Sequence, residues 1–252
     1  MKNLFDLSGK KAIVVGGAGD LGYSMLEALN EYGAETVVIG RGERTKSAAE
    51  KLSLKGYHCH AVYAELSRRE EIQRSFEEAI HILKGIDILV NAAGVQHREK
   101  SEEFSAKDWD RVMEINLYVT FRYCQLAARK MIQQGSGKLI NIASMLTYFG
   151  GYTVPAYAAS KGGVGQLTKA LANEWAGKGI NVNAIAPGYM DTKMNTALIT
   201  DPVRNQEILA RIPQHRWGLG EDMKGAVVFL ASSASDYVNG TIIAVDGGYL
   251  GR

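Results

Sequence analysis

Short apolar runs rich in β-branched residues alternate with longer amphipathic stretches along almost the whole 252-residue chain, and few folds accept that pattern. The opening reads Ala12 to Val15, Leu21 to Tyr32 and Thr36 to Ile39, a strand, a helix and a strand. Further strands fit His58 to Tyr63, Ile86 to Asn91, Lys138 to Ala143, Ile180 to Ala186 and Ile242 to Val245. Helical spacing fits Arg69 to Leu83, Asp110 to Gln133, Tyr157 to Ala176 and Gly220 to Ala231. Strands so uniformly apolar are covered on both faces. The expected class is therefore α/β, a single doubly wound Rossmann-type domain over residues 1–252, with a parallel sheet of about seven strands and helices on both faces. Such sheets bind ligands at the carboxyl ends of their strands. Segment Pro187 to Asn205 lacks clear periodicity and follows a strand end, so it is expected to be a lid or binding loop beside that crevice.

Charge and cysteine content exclude several classes. Lys and Arg total 29 against 27 Asp and Glu, a net charge of +2 without charge blocks, so no nucleic acid partner is expected. Met1 to Asp6 carries no apolar signal core, and stretches such as Ala226 to Ala231 fall far short of the ~20 apolar residues that span a bilayer. A cytoplasmic protein without membrane attachment is expected. Cys59 and Cys124 stand far apart and read as buried free thiols. His58 and His60 would share a strand face, but no third ligand stands nearby, so no metal site is expected.

Directly after the first strand, Gly17, Gly19 and Gly22 satisfy Gly-x-Gly-x-x-Gly within Gly16-Gly17-Ala18-Gly19-Asp20-Leu21-Gly22, and a helix follows. With 28 glycines in the chain the spacing alone is weak. Between a strand and a helix it gains force, because glycines there permit the tight turn and bring backbone N–H groups up to a pyrophosphate. Asp20 is expected to cap the helix, since a carboxylate aimed at a pyrophosphate would be repelled. The second strand ends not on an acidic residue but on Gly40-Arg41. Loss of that carboxylate and gain of a guanidinium favour NADP, with NAD possible, because Arg can hold a 2′-phosphate through two hydrogen bonds.

Tyr157 and Lys161 stand four apart in a helical stretch and so share a face. From 12 tyrosines and 16 lysines about 0.8 such pairs arise by chance, and the chain has two, the other being Tyr189 and Lys193 in the aperiodic segment. Position favours the first pair: Ser144 ends the strand Lys138 to Ala143 just upstream, on the ligand-binding edge of the sheet.

Over essentially its whole length the sequence resembles the short-chain dehydrogenase/reductase family. The motifs that carry the resemblance are Asn91-Ala-Ala-Gly94, Asn116 in Met113-Glu-Ile-Asn-Leu117, Ser144 in Asn141-Ile-Ala-Ser144, Tyr157-Ala-Ala-Ser-Lys161, Pro187-Gly188 and Val245-Asp-Gly-Gly248. The family's glycine motif places a threonine at Val15 and a glycine at Asp20, two departures. The resemblance implies catalytic roles for Asn116, Ser144, Tyr157 and Lys161. It also implies cofactor contacts from Gly16, Gly17, Gly19, Leu21, Gly22, Arg41, Glu65, Leu66, Asn91, Ala92, Gly94, Tyr157, Lys161, Pro187, Gly188 and Thr192. The chemistry suits the residue types: hydride transfer must be matched by a proton on the substrate oxygen, and a tyrosine with a free pKa of about 10 needs help to supply or accept it. Lys161 would favour the phenolate and hold the nicotinamide ribose, Ser144 would bond the substrate oxygen, and Asn116 would order a water relay to Lys161.

Closer resemblance is to the family's sugar-acid branch, carried by Val154-Pro-Ala-Tyr157, Ala172-Asn-Glu-Trp-Ala176, Asn183-Ala-Ile-Ala-Pro-Gly-Tyr-Met190, Arg211-Ile-Pro213 and Arg216-Trp-Gly218. A sugar-acid substrate needs a cation for its carboxylate. Arg98 is the first candidate, with Gln96 and His97 for hydroxyls, and Arg216 and Lys193 are second choices. Ser144, Met145, Tyr157 and Tyr189 complete the expected substrate set. Reduction of other carbonyl compounds stays open, as does a protein that senses the dinucleotide without turnover. A serine hydrolase is disfavoured because Ala143-Ser144-Met145 lacks the Gly-x-Ser-x-Gly elbow. Small residues Ala158, Ala159, Gly162, Gly163 and Gly165 could serve packing within the chain or close helix pairing between subunits, and the resemblance implies a homotetramer.

Overall fold

A computed structural model describes residues 3–251, so Met1 and Lys2 of the opening segment lie outside the described residues. Seven parallel strands form one sheet in the order β3-β2-β1-β4-β5-β6-β7. They are β1 (Lys11–Val15), β2 (Glu35–Gly40), β3 (Cys59–Tyr63), β4 (Ile88–Asn91), β5 (Gly137–Ile142), β6 (Ile180–Pro187) and β7 (Ile242–Val245). The helices are α1 (Asp20–Glu31), α2 (Glu43–Leu54), α3 (Arg69–Leu83), α4 (Ala106–Met113), α5 (Val119–Gln134), α6 (Pro155–Trp175), α7 (Thr196–Ile199), α8 (Pro202–Arg211) and α9 (Lys224–Ala231). Strand side chains alternate between two cores, which is why the strands read as unbroken apolar runs. Ile13, Val15, Val37 and Ile39 pack with Phe76, Tyr123 and Trp175 on one face. Ala12, Val14, Val38 and Ile140 pack with Leu26, Leu52 and Val227 on the other.

Three segments differ from the sequence reading. Helix α2 has no counterpart in the sequence reading, because its buried side is only Thr45, Ala48, Ala49 and Leu52, too small an apolar stripe to stand out. The expected helix Asp110 to Gln133 begins earlier and is broken by a π-helical turn at Glu114–Tyr118 between α4 and α5. Its inserted residue is invisible to a 3.6-residue period. The aperiodic segment is not a plain loop. It holds a 3₁₀ turn at Lys193–Asn195, then α7, then the start of α8, whose signal is explicit: Asp201 accepts hydrogen bonds from the Val203 and Arg204 N–H groups at 3.0 and 3.1 Å, and Pro202 follows it.

The chain winds outward from β1 in one direction and from β4 in the other, so the loops leaving these adjacent strands diverge and open a crevice between them. The glycine loop and Asn91-Ala-Ala-Gly94 are those two loops. Cys59 and Cys124 are buried and unpaired, and burial pushes their thiols up to about 11 and about 12. Among the described residues no group of His, Cys, Asp and Glu could hold a metal ion, and no helix is long and apolar enough to cross a membrane. His60 instead faces Glu35, with Nε2 3.5 Å from the carboxylate.

Candidate active site

The crevice is a groove of about 470 Å³, floored by Gly16, Ala18 and Gly19 on one side and Ala92, Ala93 and Gly94 on the other. Backbone proximity makes it. Gly16 has φ +78°, and a Cβ there would stand 2.5 Å from the Ala93 nitrogen; one on Gly22 would stand 2.3 Å from the Gly16 carbonyl oxygen. Glycine is therefore required at both for the β1 loop to lie against β4 and for α1 to start beneath it. Gly17 is turned away from the groove onto Val14 and Val38. At the outer end stand Gly40, Arg41, Ala64, Glu65 and Leu66, together with Arg44 from the first turn of α2. Arg41 reaches Glu65 only at 4.0 Å, an exposed pair at the limit of contact. Bare backbone at a helix start and two guanidinium groups at the far end are the chemistry a phosphorylated dinucleotide requires, so the residues fit that cofactor.

Asp20 does not cap α1. Gly19 occupies the N-cap position without a side-chain bond, and the Asp20 carboxylate accepts a hydrogen bond from the Lys193 N–H at 2.7 Å. This bond joins the glycine loop to the segment after β6, 173 residues away in sequence.

A second cavity of about 340 Å³ lies where β5 and β6 end. Ser144, Met145, Tyr157, Gly188 and Tyr189 line it together with Gln96 and Arg98. Ser144 is held there by its own turn, its Oγ accepting from the Leu146 N–H at 3.1 Å. Burial pushes the Tyr157 phenol up, while the adjacent Ser144 hydroxyl pulls it back. Lys161 stands behind, 4% exposed, with Nζ 5.7 Å from the Tyr157 ring centroid and donating to the Ile142 carbonyl at 2.6 Å. Desolvation lowers it to about 8. In this structure the phenol is thus raised, not lowered, and the ammonium is turned partly toward a backbone carbonyl.

Asn116 sits in the π turn and its carboxamide grips the chain after β4. Oδ1 accepts from the Val95 N–H at 2.8 Å, and Nδ2 donates to the Val95 carbonyl and to Ser160 Oγ, both at 3.0 Å. A Cβ on Gly94 would lie 3.6 Å from Asn116 Oδ1 and 3.8 Å from Lys161 Nζ, so the groove ends beside both. Asn91 points inward, Nδ2 donating to Asn141 Oδ1 at 2.9 Å, and only its backbone faces the loop.

These residues and the fold coincide with a match of residues 16–250 to the family model described as Enoyl-(Acyl carrier protein) reductase. A 2-dehydro-3-deoxy-D-gluconate 5-dehydrogenase from Escherichia coli (strain K12) is 49% identical over 249 residues, covering 98% of each chain. The chain belongs to the short-chain dehydrogenase/reductase family. As a member it is an NAD(P)-dependent oxidoreductase. A structure from Agrobacterium tumefaciens with bound NADP superposes with a TM-score of 0.94 at 47% identity, covering all of both chains. A gluconate 5-dehydrogenase from Burkholderia cenocepacia J2315, in complex with NADP and tartrate, gives 0.95 at 36% identity, covering 99% of this chain and 98% of that one.

Within this short-chain dehydrogenase/reductase framework several expected residues lie elsewhere. Arg216 is spent on Asp222 through two bonds of 2.7 and 2.8 Å, and Lys193 is exposed; neither lines the cavity. His97 packs edge-on against Phe104, with ring centroids 5.3 Å apart, away from the cavity lining. Leu21, Pro187 and Thr192 line neither space: Leu21 is in α1, and the other two lie on the path from β6 to the 3₁₀ turn. Conversely Arg44, Arg204 and Tyr249 line these spaces and were not singled out from sequence, and Arg211, quoted only within a motif, lines the second cavity. Arg204 and Arg211 could have been found from the Asp201-Pro202 start, which sets them and Ile208 on one face of α8.

Proposed function

We propose that the chain is an NADP-dependent dehydrogenase/reductase, able to use NAD, that interconverts a secondary alcohol and a ketone on a sugar acid, of 2-dehydro-3-deoxy-D-gluconate 5-dehydrogenase or 2-deoxy-D-gluconate 3-dehydrogenase type. The observation that carries this reading is one cavity holding Ser144, Tyr157 and Arg98 beside a glycine-floored groove with Arg41 and Arg44 at its far end. Relatives with sugar-acid names and neighbours solved with NADP support it.

A nicotinamide dinucleotide held in the groove would supply or accept the hydride. Gly16 and Gly19 would present backbone to its pyrophosphate, Arg41 and Arg44 would hold a 2′-phosphate, and Glu65 and Leu66 would meet the adenine. Tyr157 exchanges a proton at its phenolic oxygen with the substrate oxygen, which Ser144 bonds and orients. Lys161 holds the nicotinamide ribose with the Nζ hydrogens that Ile142 leaves free, and its charge reduces the cost of forming the phenolate. Asn116 positions the loop after β4 through Val95 and orders the water that relays protons to Lys161. Arg98 meets the carboxylate.

The protein works in the cytoplasm as a homotetramer built on the outer faces of α5 and α6. There Ala159 is exposed and a Cβ on Gly162 would enter open space, whereas one on Gly163 or Gly165 would meet Leu117 or Thr147 of the same chain. A monomeric mass by light scattering at micromolar concentration would remove the assembly. For the reaction, NADH and NADPH are each tested against keto-sugar acids and their reduced forms. The expected result is the highest kcat/KM for NADPH with a keto acid. No turnover of any sugar acid, with turnover of neutral ketones, would overturn the substrate class.

A further inference from the structure

The proposed function leaves the substrate carboxylate to Arg98 alone, and the same cavity is also lined by Arg204 and Arg211. Arg98 arrives on the loop after β4 and Arg204 on the first turn of α8, yet both stand on the rim of the cavity that contains Ser144 and Tyr157. Among the described residues no carboxylate pairs with Arg98, which donates to the Tyr152 carbonyl at 3.3 Å and Thr153 Oγ1 at 3.2 Å. Arg204 pairs with Glu207 at 3.8 Å, an exposed pair along its own helix and so a weak one. The first turn of a helix is also where a cation is electrostatically disfavoured. Crowding by the protein and then the charge of Arg204 hold Arg98 below its ordinary value, so the two repel across the opening.

Helix α8 is otherwise anchored away from this charge. Ile208 is buried in a small cluster with Met145, Ile212 and Tyr249, and Trp217 Nε1 donates to Asn205 Oδ1 at 2.7 Å. Arg211, one face-turn further on, lies over the Tyr249 ring at 5.0 Å, whereas Arg204 lines the cavity from the first turn of the same helix.

We propose that Arg98 and Arg204 form a two-armed clamp for the substrate carboxylate, one arm on the loop after β4 and one on the first turn of α8, so that a carboxylate selects the substrate. This rests on the sugar-acid reading. It makes Arg204 a specificity residue: an anion between like charges removes their repulsion and gains a hydrogen bond from each side.

The test compares 5-keto-D-gluconate with L-sorbose, which carries a hydroxymethyl group where the former has its carboxylate. R204M is expected to lower kcat/KM for the keto acid roughly 10- to 100-fold, mainly through KM, and to leave L-sorbose within about twofold. R98M/R204M is expected to lose less than the product of the single losses, because both arms share one carboxylate. Equal losses on both ketones, or none on the acid, would overturn the clamp. R204Q, which keeps helix packing and a donor, controls for folding and should fall between. If the unaltered protein turns over no sugar acid, the sugar-acid reading falls, and tartrate binding by calorimetry in the presence of NADP decides the clamp by itself: roughly tenfold weaker binding to R204M retains it, and equal binding rejects it.

Discussion

The glycine-floored groove and the cavity of Ser144 and Tyr157 adjoin at Gly94 and Lys161 but are built by opposite means. The groove is made of backbone: Gly16 and Gly22 let the β1 loop, β4 and α1 approach to distances that any side chain would block. The cavity is made of long side chains from separate stretches, Gln96 and Arg98 after β4, Ser144 after β5, Tyr157 on α6, Tyr189 after β6 and Arg204 on α8. A backbone site tolerates few changes and reads only a shared feature, the phosphates. A side-chain site can be retuned one residue at a time, which is how one scaffold serves many substrates. Asp20, through the Lys193 N–H, ties the glycine loop to the segment after β6.

That division can be broken by substitution. The largest effect is expected at the junction: Tyr157→Phe should lower kcat about 10²- to 10⁴-fold while NADPH affinity, read by fluorescence titration, stays within about twofold. A comparable loss of NADPH affinity would mean that the halves are not separable.

Lys161 gives the next largest effect, on stability. Burial lowers it from 10.5 to about 8, so the folded protein carries a penalty while the amine is charged. The penalty is full below pH 8 and fades as pH rises toward 10.5, because the unfolded chain binds more protons in that window. Relative to Lys161→Met, the unaltered protein should therefore gain up to about 3 kcal/mol between those pH values, measured by urea unfolding. The lost bond to Ile142 offsets the two curves by a constant, so the slope is the readout; parallel curves would show that the amine keeps its charge.

A smaller, one-sided change is expected from Arg41→Ala: kcat/KM with NADPH lower by roughly 10-fold, and with NADH and the sugar acid nearly unchanged. Equal losses on both cofactors would shift the 2′-phosphate to Arg44 or elsewhere. The smallest is Asp20→Gly, which restores the family's usual residue but removes the link to Lys193. NADPH should dissociate a few-fold faster in stopped flow, consistent with loss of one charge-assisted hydrogen bond, at nearly constant Tm. An unchanged rate would leave that bond without a part in nucleotide retention.

The alternation of apolar runs was enough to give the parallel sheet and its seven strands, because burial on both faces leaves a local imprint on every strand. The position of Gly16 to Gly22 between a strand and a helix gave the groove, and Ser144 and Tyr157 were placed by strand ends and helical spacing, also local features. Sequence by itself put Arg98 ahead of Arg216 and Lys193 but could not show where the three charges go; only folding revealed that Asp222 consumes Arg216 and that Lys193 lies outside the cavity. Nor could it show that Asp20 faces Lys193, that Asn116 sits in a π turn, or that Arg204 lines the same cavity as Arg98. Periodicity and turn chemistry act over a few residues and survive in the one-dimensional record, whereas a charge's partner is fixed by chain closure across a hundred residues or more, where local sequence carries no signal.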